Sequence, residues 1–536
     1  MRSVTALAAV VLSVFVGAVC TRAQDVTPKD LLDGFGNPAR WLTYSGDYSG
    51  QRHSPLTEIT PANAADLRPM WTFQTGAIPG KFEATPIVID GVVYISGPLD
   101  HVWALDGATG RQLWHYQRLL PNGILACCGM VNRGVAVFHD RLYLATLDAH
   151  LVALNVKDGK VIFDNVVEDY QKGYAATGAP LVVNGNVIVG VAGGEYGIRG
   201  FIDAYSADTG ARIWRFYTVP APGEKGGDTW PGDSWKHGGG PTWLSGTYDP
   251  ALNLLYWGVG NPGPDYDGDA REGDNLFTGS VVALDATTGT LRWHFQFTPH
   301  DVHDWDANQI PVLADLTIAG RPRKVVMLAN RNGFFYVLDR ETGAFIRGSR
   351  FIDTTWAKEL DAAGKPRVLP DTAPTSEGTI TCPDLFGATN FMSPSFDPSS
   401  KLFFVSARET CATFFRRPQE FKEGERFMSG IQRMESRNFG ALRAIDPLTG
   451  DMKWEYRHSL PSWAGVLTTA GGVVFTGDND GYVLAFDART GARLWRHLMG
   501  APIYAAPTTV MIGGRQVVFM PAGTTLTAFA LGQSVR

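Results

Sequence analysis

Cysteine is scarce in this chain, with five among 536 residues. None stands in a Cys-x-x-Cys-His arrangement, which excludes covalently attached c-type haem. No apolar run reaches the roughly 20 residues that a membrane-spanning helix needs. Lys/Arg-rich runs are also missing. With 47 Lys and Arg against 53 Asp and Glu, the formal charge is −6, which gives no general attraction for nucleic acid. The 61 Gly and 32 Pro are too few for a low-complexity chain, and 44% hydrophobic residues suit a packed globular one. A length of 536 residues ordinarily means several domains, unless a repeat builds one large domain.

The N-terminus carries a different signal. Arg2 precedes an apolar run from Val4 to Val19, broken only by Thr5, Ser13 and Gly17, and Thr21-Arg22-Ala23 follows. A basic start, a short apolar stretch and a small residue at Ala23 predict a secretory signal over residues 1–23, with the mature domain over 24–536 and export to the periplasm. Val19 makes a poor lipobox around Cys20. After cleavage no membrane span is expected. Four cysteines then remain, Cys127, Cys128, Cys382 and Cys411, and in an oxidising compartment they allow three disulfide pairings.

One motif recurs along the whole chain. Ala104-Leu105-Asp106-Gly107-Ala108-Thr109-Gly110-Arg111-Gln112-Leu113-Trp114 has relatives beginning at Ala153, Ala204, Ala283, Val337, Ala444 and Ala485. Each has a Gly six residues on, and four residues later stands Trp114, Phe163, Trp214, Trp293, Arg347, Trp454 or Trp495. The pattern reads as strand, tight turn, strand, with Asp and Thr-Gly supplying the turn and the aromatic packing on the preceding strand. Copies lie 49, 51, 79, 54, 107 and 41 residues apart. Such spacing predicts an all-β propeller with insertions in the long intervals. Half-motifs at Leu67–Trp71 and Thr527–Phe529 predict an eighth blade shared by the two ends, closing the ring and removing two free sheet edges. Trp356–Ser376 reads as a surface loop.

This repeat, together with Cys127-Cys128 and Asn261-Pro262, resembles the quinoprotein alcohol dehydrogenases. These are eight-bladed propellers that use pyrroloquinoline quinone (PQQ), the methanol and ethanol dehydrogenase group. The resemblance implies a disulfide between the neighbours Cys127 and Cys128, lying on one quinone face with Arg133 beside it, and a structural bridge Cys382–Cys411. Trp243, in Gly239-Gly240-Pro241-Thr242-Trp243, matches the indole on the opposite face; a planar cofactor between indole and sulfur joins polarisable surfaces. Glu83, Thr177, Gly193, Gly194, Asn390 and Trp463 match further cofactor-binding positions. Arg331 matches the basic residue near the reactive quinone oxygens.

Glu195, Asn261 and Asp304 match the family's metal ligands, an all-oxygen set suited to a hard cation. In the family Asp304 is the general base and Arg331 stabilises developing charge. Two residues beyond Asp304 stands Asp306, as in lanthanide-dependent members; calcium-dependent members carry a small uncharged residue there. A third carboxylate favours a trivalent ion, so the expectation is PQQ with one lanthanide ion, Ca²⁺ being the alternative. The chain departs from the family at His303, at Trp305 and at Ala192, where a cofactor hydrogen bond is expected to be lost. The implied activity is oxidation of a primary or related alcohol to the aldehyde, with electrons passing to a periplasmic c-type cytochrome. Alternatives are a polyol, sugar or polymeric alcohol as substrate and, from another class, a non-catalytic propeller scaffold. A homodimer is among the assemblies the sequence allows.

Overall fold

The computed structural model describes residues 25–76 and 78–532; the expected signal segment lies outside them. Among the described residues the one α-helix is Pro28–Asp33, with a capping box at its start: Thr27 Oγ1 accepts from the Asp30 amide, and Asp30 Oδ2 accepts from the Thr27 amide at 2.8 Å. Strands, with short 3-10 turns such as Gly194–Tyr196, make up the rest of the regular structure. They form eight sheets of four or five strands and one two-stranded hairpin, an all-β propeller architecture. The complete repeat unit is visible in seven of the eight large sheets. In one, Leu181–Val183, Asn186–Gly190, Phe201–Ser206 and Arg212–Tyr217 follow in antiparallel order. Inner strands such as Val473–Gly477 are buried throughout, whereas outer strands such as Val161–Val166 alternate toward solvent. Leu67–Gln74 pairs antiparallel with Thr525–Leu531 and so joins the sheet built from the C-terminal strands.

The recurring aromatic does more than pack on its own sheet. Each turn glycine has a positive φ, +73° at Gly110 and +71° at Gly289, and all but Gly450, which meets Ser349 and Arg347, lie against the aromatic of the preceding repeat. A Cβ on Gly110 would come 2.6 Å from the Trp71 ring, and one on Gly159 as close to Trp114. Glycine is therefore required twice over, by conformation and by the ring laid across it. In several repeats the indole N–H also donates to the next one, Trp71 to the Gly107 carbonyl at 3.0 Å, Trp114 to Val156 at 2.9 Å and Trp454 to Ala488 at 3.1 Å, whereas the buried Trp293 Nε1 has no hydrogen-bond partner among the described residues. Arg347 replaces Trp in its repeat and makes the same link, from Nη1 to the Thr449 carbonyl at 2.6 Å. Each residue of this series buttons one sheet to its successor, so truncating one of the tryptophans is expected to cost about 3–5 kcal/mol.

Two readings of the sequence are corrected by the fold. Trp356–Ser376 is not only a loop, because Ala357–Leu360 and Pro366–Val368 form the two-stranded hairpin. Asp361 Oδ1 accepts from the Ala363 and Lys365 amides and makes its turn, while Trp356 is buried and donates to the Asn332 carbonyl at 2.8 Å. Second, Cys382 and Cys411 are joined, but Cys127 and Cys128 are free thiols, so the bridge between neighbours is not formed. Adjacent Cα atoms lie about 3.8 Å apart, below the usual disulfide range, so closing that ring would distort the backbone.

Candidate functional site

The first strand of each sheet begins, and the second ends, at the same edge, because the two are antiparallel. The site is built from these edges. Glu83, Thr177, Trp243 and Trp463 each stand four residues before a first strand, those starting at Ile87, Leu181, Thr247 and Leu467. Asn261 and Arg331 each stand two residues after a second strand, those ending at Val259 and Ala329. These segments surround a cavity of about 260 Å³. Its lining includes Glu83, Cys127, Cys128, Arg133, Thr177, Gly193, Glu195, Trp243, Asp304, Asp306, Arg331, Asn390 and Trp463, so most of the positions singled out in the sequence meet at one place. Gly194 and Asn261 are not in the lining, but they adjoin it: a Cβ on Gly194 would lie 3.5 Å from Asn261 Oδ1.

Sequence reasoning missed several residues of this wall. Phe391 and Tyr504 line it and also stand four residues before first strands, at Ser395 and Thr508; the recurring offset is the signal that could have found them. Lys81 lines it as well, with Nζ 3.6 Å from Glu83 and 3.5 Å from the centroid of the Tyr504 ring.

Trp243 organises the floor of the cavity. Its Nε1 donates to Asp306 Oδ2 at 2.8 Å, and the Arg133 and Arg331 guanidinium carbons stand 4.9 and 5.5 Å from its ring centroid. Arg133 pairs with Glu83 at 2.8 Å. Arg331 donates from Nη1 to the Asp304 carbonyl at 2.9 Å, and its Nη2 lies 3.0 Å from Asp306 Oδ2. The Asp306 Oδ1 atom accepts from the Asn261 amide at 2.9 Å. That approach needs Gly260, whose Cβ would meet Oδ1 at 2.1 Å.

The loop carrying Asp304 is shaped by its neighbours. Asp301 accepts from the His303 and Trp305 amides at 3.3 and 2.9 Å, and Asp304 takes a positive φ of 61°, a strained setting for a non-glycine residue. His303 lies flat on Trp305 with centroids 4.3 Å apart, and Trp305 Nε1 donates to the Asp384 carbonyl, so both departures from the family pattern are accommodated by stacking. Ala192 exchanges backbone hydrogen bonds with Ala175 and brings no side-chain donor to the wall.

Buried negative charge is concentrated here. Burial, with Asp265 and Asp306 adding repulsion, holds the Asp304 carboxyl well above the usual carboxylate range. Burial also raises Glu195, again with a contribution from Asp306, and lifts Asp301 to about 6. Burial opposes the charge of Arg331, yet Asp306 and Asp304 hold it protonated. One guanidinium does not balance Glu195, Asp304 and Asp306, and hard carboxylate and amide oxygens are the donors a Ca²⁺-like or lanthanide ion takes. The residues therefore fit a cation. Among the described residues Cys127, Cys128 and Glu195 bring three ligand atoms within 4.8 Å of one another, with Cys128 Sγ 3.9 Å from Glu195 Oε1. A hydrogen bond with Cys128, then burial, raise the Cys127 thiol well above its ordinary value.

A long hairpin covers one side of this group. Strands Leu402–Arg416 and Gly430–Ile445 outrun the other pairs, and their connection lies against the cavity wall: Phe427 N donates to the Glu195 carbonyl at 2.7 Å and Arg426 Nη2 to the Cys127 carbonyl at 3.1 Å.

Residues 41–349 and 432–518 match the family described as the PQQ glucose/ethanol/alcohol dehydrogenase β-propeller domain. The chain belongs to this quinoprotein family. A quinoprotein alcohol dehydrogenase, PedH, of Pseudomonas putida is 38% identical over 93% of this chain and 88% of its own length. A lanthanide-dependent methanol dehydrogenase of Methylacidiphilum fumariolicum is 35% identical over 88% of this chain and 83% of its own. Among solved structures, the quinohemoprotein alcohol dehydrogenase of Comamonas testosteroni superposes with a TM-score of 0.91 at 35% identity, covering 96% of this chain and 84% of that one. A europium-containing methanol dehydrogenase does so at 0.89 and 31% identity, covering 94% and 100%. Family membership sets aside the non-catalytic scaffold.

Proposed function

We propose that this chain oxidises an alcohol to the aldehyde, with PQQ and one lanthanide ion held in the described cavity. The observation that carries the reading is the convergence of Trp243, Arg331, the buried carboxylates Asp304 and Asp306 and the half-buried Glu195 on one cavity. When bound, PQQ would supply a quinone that accepts a hydride, and with it both electrons of the oxidation, while the cation would supply Lewis acidity at its carbonyl. Trp243 would present its indole to one face of the cofactor and the Cys127 and Cys128 sulfurs would cover the other. Arg133 and Lys81 would offer cations to its carboxylates, and Thr177 and Asn390 would offer polar groups. Glu195, Asn261, Asp304 and Asp306 would hold the cation. Asp304 takes the proton from the alcohol hydroxyl as general base. Arg331 steadies negative charge as it develops.

The lanthanide rather than Ca²⁺ is favoured by the third carboxylate. Asp306 Oδ2 is occupied by Trp243 and Arg331, but Oδ1 accepts from the Asn261 amide and, with a second lone pair, can also take a cation. The eight large sheets are read as eight blades, with the pairing of Leu67–Gln74 and Thr525–Leu531 closing the ring. The apolar N-terminus supports export to the periplasm, where a c-type cytochrome is the natural one-electron acceptor for a chain with no haem motif. Apo-protein loaded with PQQ and either La³⁺ or Ca²⁺ tests the metal assignment. La³⁺ is expected to activate the wild type chiefly, and Asp306→Ala to lose that activation. Full activity with Ca²⁺, unchanged by Asp306→Ala, overturns the lanthanide assignment.

A further inference from the structure

Asp265 has no place in the mechanism above, yet it is fully buried. Its Oδ1 accepts from Asn261 Nδ2 at 3.0 Å, and its Oδ2 has no hydrogen-bond partner among the described residues. The second proton of the Asn261 amide is spent on the Pro262 carbonyl at 3.2 Å. Both amide protons are thus held by the loop that follows Asn261, which fixes the amide plane and leaves its oxygen as the one atom free to face outward. That oxygen lies beside Gly194, 3.5 Å from where a Cβ would stand and next in sequence to Glu195.

The loop itself is clamped. Arg271 donates to the backbone carbonyls of Pro264, Asp265 and Asp301 at 3.0, 3.3 and 2.5 Å, which ties the Asp265 turn to the turn that carries Asp304 and Asp306. Arg271 directs its hydrogen bonds to carbonyls and to Asn275, so its charge acts on Asp265 but leaves one carboxylate oxygen without a hydrogen bond. A buried carboxylate kept in this state is costly unless a cation stands nearby or a structural task requires it. Asparagine alone has two amide orientations of similar shape; an acceptor aimed at Nδ2 selects the one that turns oxygen toward Glu195.

We propose that Asp265 is a positioning residue for the cation site: it holds the Asn261 amide so that its oxygen, not its nitrogen, faces the ion. The inference rests on the reading that Glu195, Asn261, Asp304 and Asp306 hold a cation. Partners that orient a metal ligand typically contribute 10–100-fold in affinity.

The test uses PQQ-loaded full-length protein dialysed to equilibrium against buffered Tb³⁺, with bound metal counted per chain by mass spectrometry. Asp265→Leu is expected to weaken Tb³⁺ binding at least about tenfold. Asp265→Asn, which keeps an acceptor for Asn261 Nδ2, is expected to stay within about threefold of wild type. On an Asn261→Ala background, Asp265→Leu should cost nothing more. Asp265→Ser, smaller and polar, is measured in parallel as a second truncation should the Leu variant not fold. Equal losses in Asp265→Asn and the truncations, the same loss with or without Asn261, or no loss at all overturns the proposal. Wild type that takes up no more Tb³⁺ than Glu195→Ala overturns the underlying cation reading with it. Wild type that binds Tb³⁺ while Asp265→Leu binds equally overturns this inference alone.

Discussion

Asp304→Asn separates the chemistry of the site from its folding. The Arg331 bond to this residue goes to the Asp304 backbone carbonyl at 2.9 Å, which the substitution leaves in place, whereas Arg331 Nη1 stands 3.8 Å from the carboxylate, beyond hydrogen-bonding range. The amide keeps the shape and one oxygen, and it removes a buried negative charge that burial, Asp265 and Asp306 all disfavour. Apo-Asp304→Asn is therefore expected to melt at or above the wild-type temperature. Turnover should behave oppositely. A general base contributes about 10²–10⁴ in rate, equivalent to about 3–5 kcal/mol of barrier at 1.36 kcal/mol per tenfold. The assay is dye-linked alcohol oxidation at saturating substrate by protein loaded with PQQ and La³⁺, beside a calorimetric melt of the apo form. Turnover should fall at least about a hundredfold while PQQ stays bound. Turnover within about threefold of wild type removes Asp304 from the base role. A melt well below wild type refutes the argument from crowded charge.

Cys127→Ser with Cys128→Ser should leave the fold and its melting intact, since both side chains face the cavity, but PQQ should be lost faster on desalting; unchanged retention refutes the sulfur cover. Gly260→Ala should displace the Asp306 carboxylate, because the new Cβ falls 2.1 Å from Oδ1, and abolish activation by La³⁺; La³⁺ activation equal to wild type refutes the close approach. Asp100, which is bonded to Asn132 rather than lining the cavity, is raised by burial to about 7, against about 3.9 in an unfolded chain. Its folded state holds the proton more tightly, so its contribution is fully present below about pH 4 and is lost as pH rises to about 7. The urea-measured stability of wild type relative to Asp100→Asn should accordingly decline by a few kcal/mol over that range; a difference independent of pH refutes the assignment.

The turn glycines and tryptophans were legible because one physical task, laying a ring across a left-handed turn, repeats at fixed spacing. Their partner was not: the sequence placed each ring on its own strand, and the structure also sets it on the next sheet. Arg347 shows why, since only the carbonyl of Thr449 reveals that a guanidinium can make the indole's bond. The site was legible where residue types are unusual, as at Cys127-Cys128 and Asp304-Trp305-Asp306. Phe391 and Tyr504 escaped notice because aromatics before strands are ordinary until the four-residue offset is known. The free state of Cys127 and Cys128 and the hairpin at 357–368 depend on local backbone geometry that spacing does not report. Asp265 is the extreme case, because its meaning lies in burial and in an oxygen without a partner, both properties of the folded chain.

The central claim is tested most directly by alcohol oxidation measured on apo-protein supplied with PQQ alone, La³⁺ alone, or both, using a dye acceptor and a panel of primary alcohols and polyols. Turnover that requires PQQ and metal together, and that vanishes in Glu195→Ala, is the predicted result. Oxidation that proceeds equally without PQQ, or no oxidation of any alcohol once both are bound, would contradict the account.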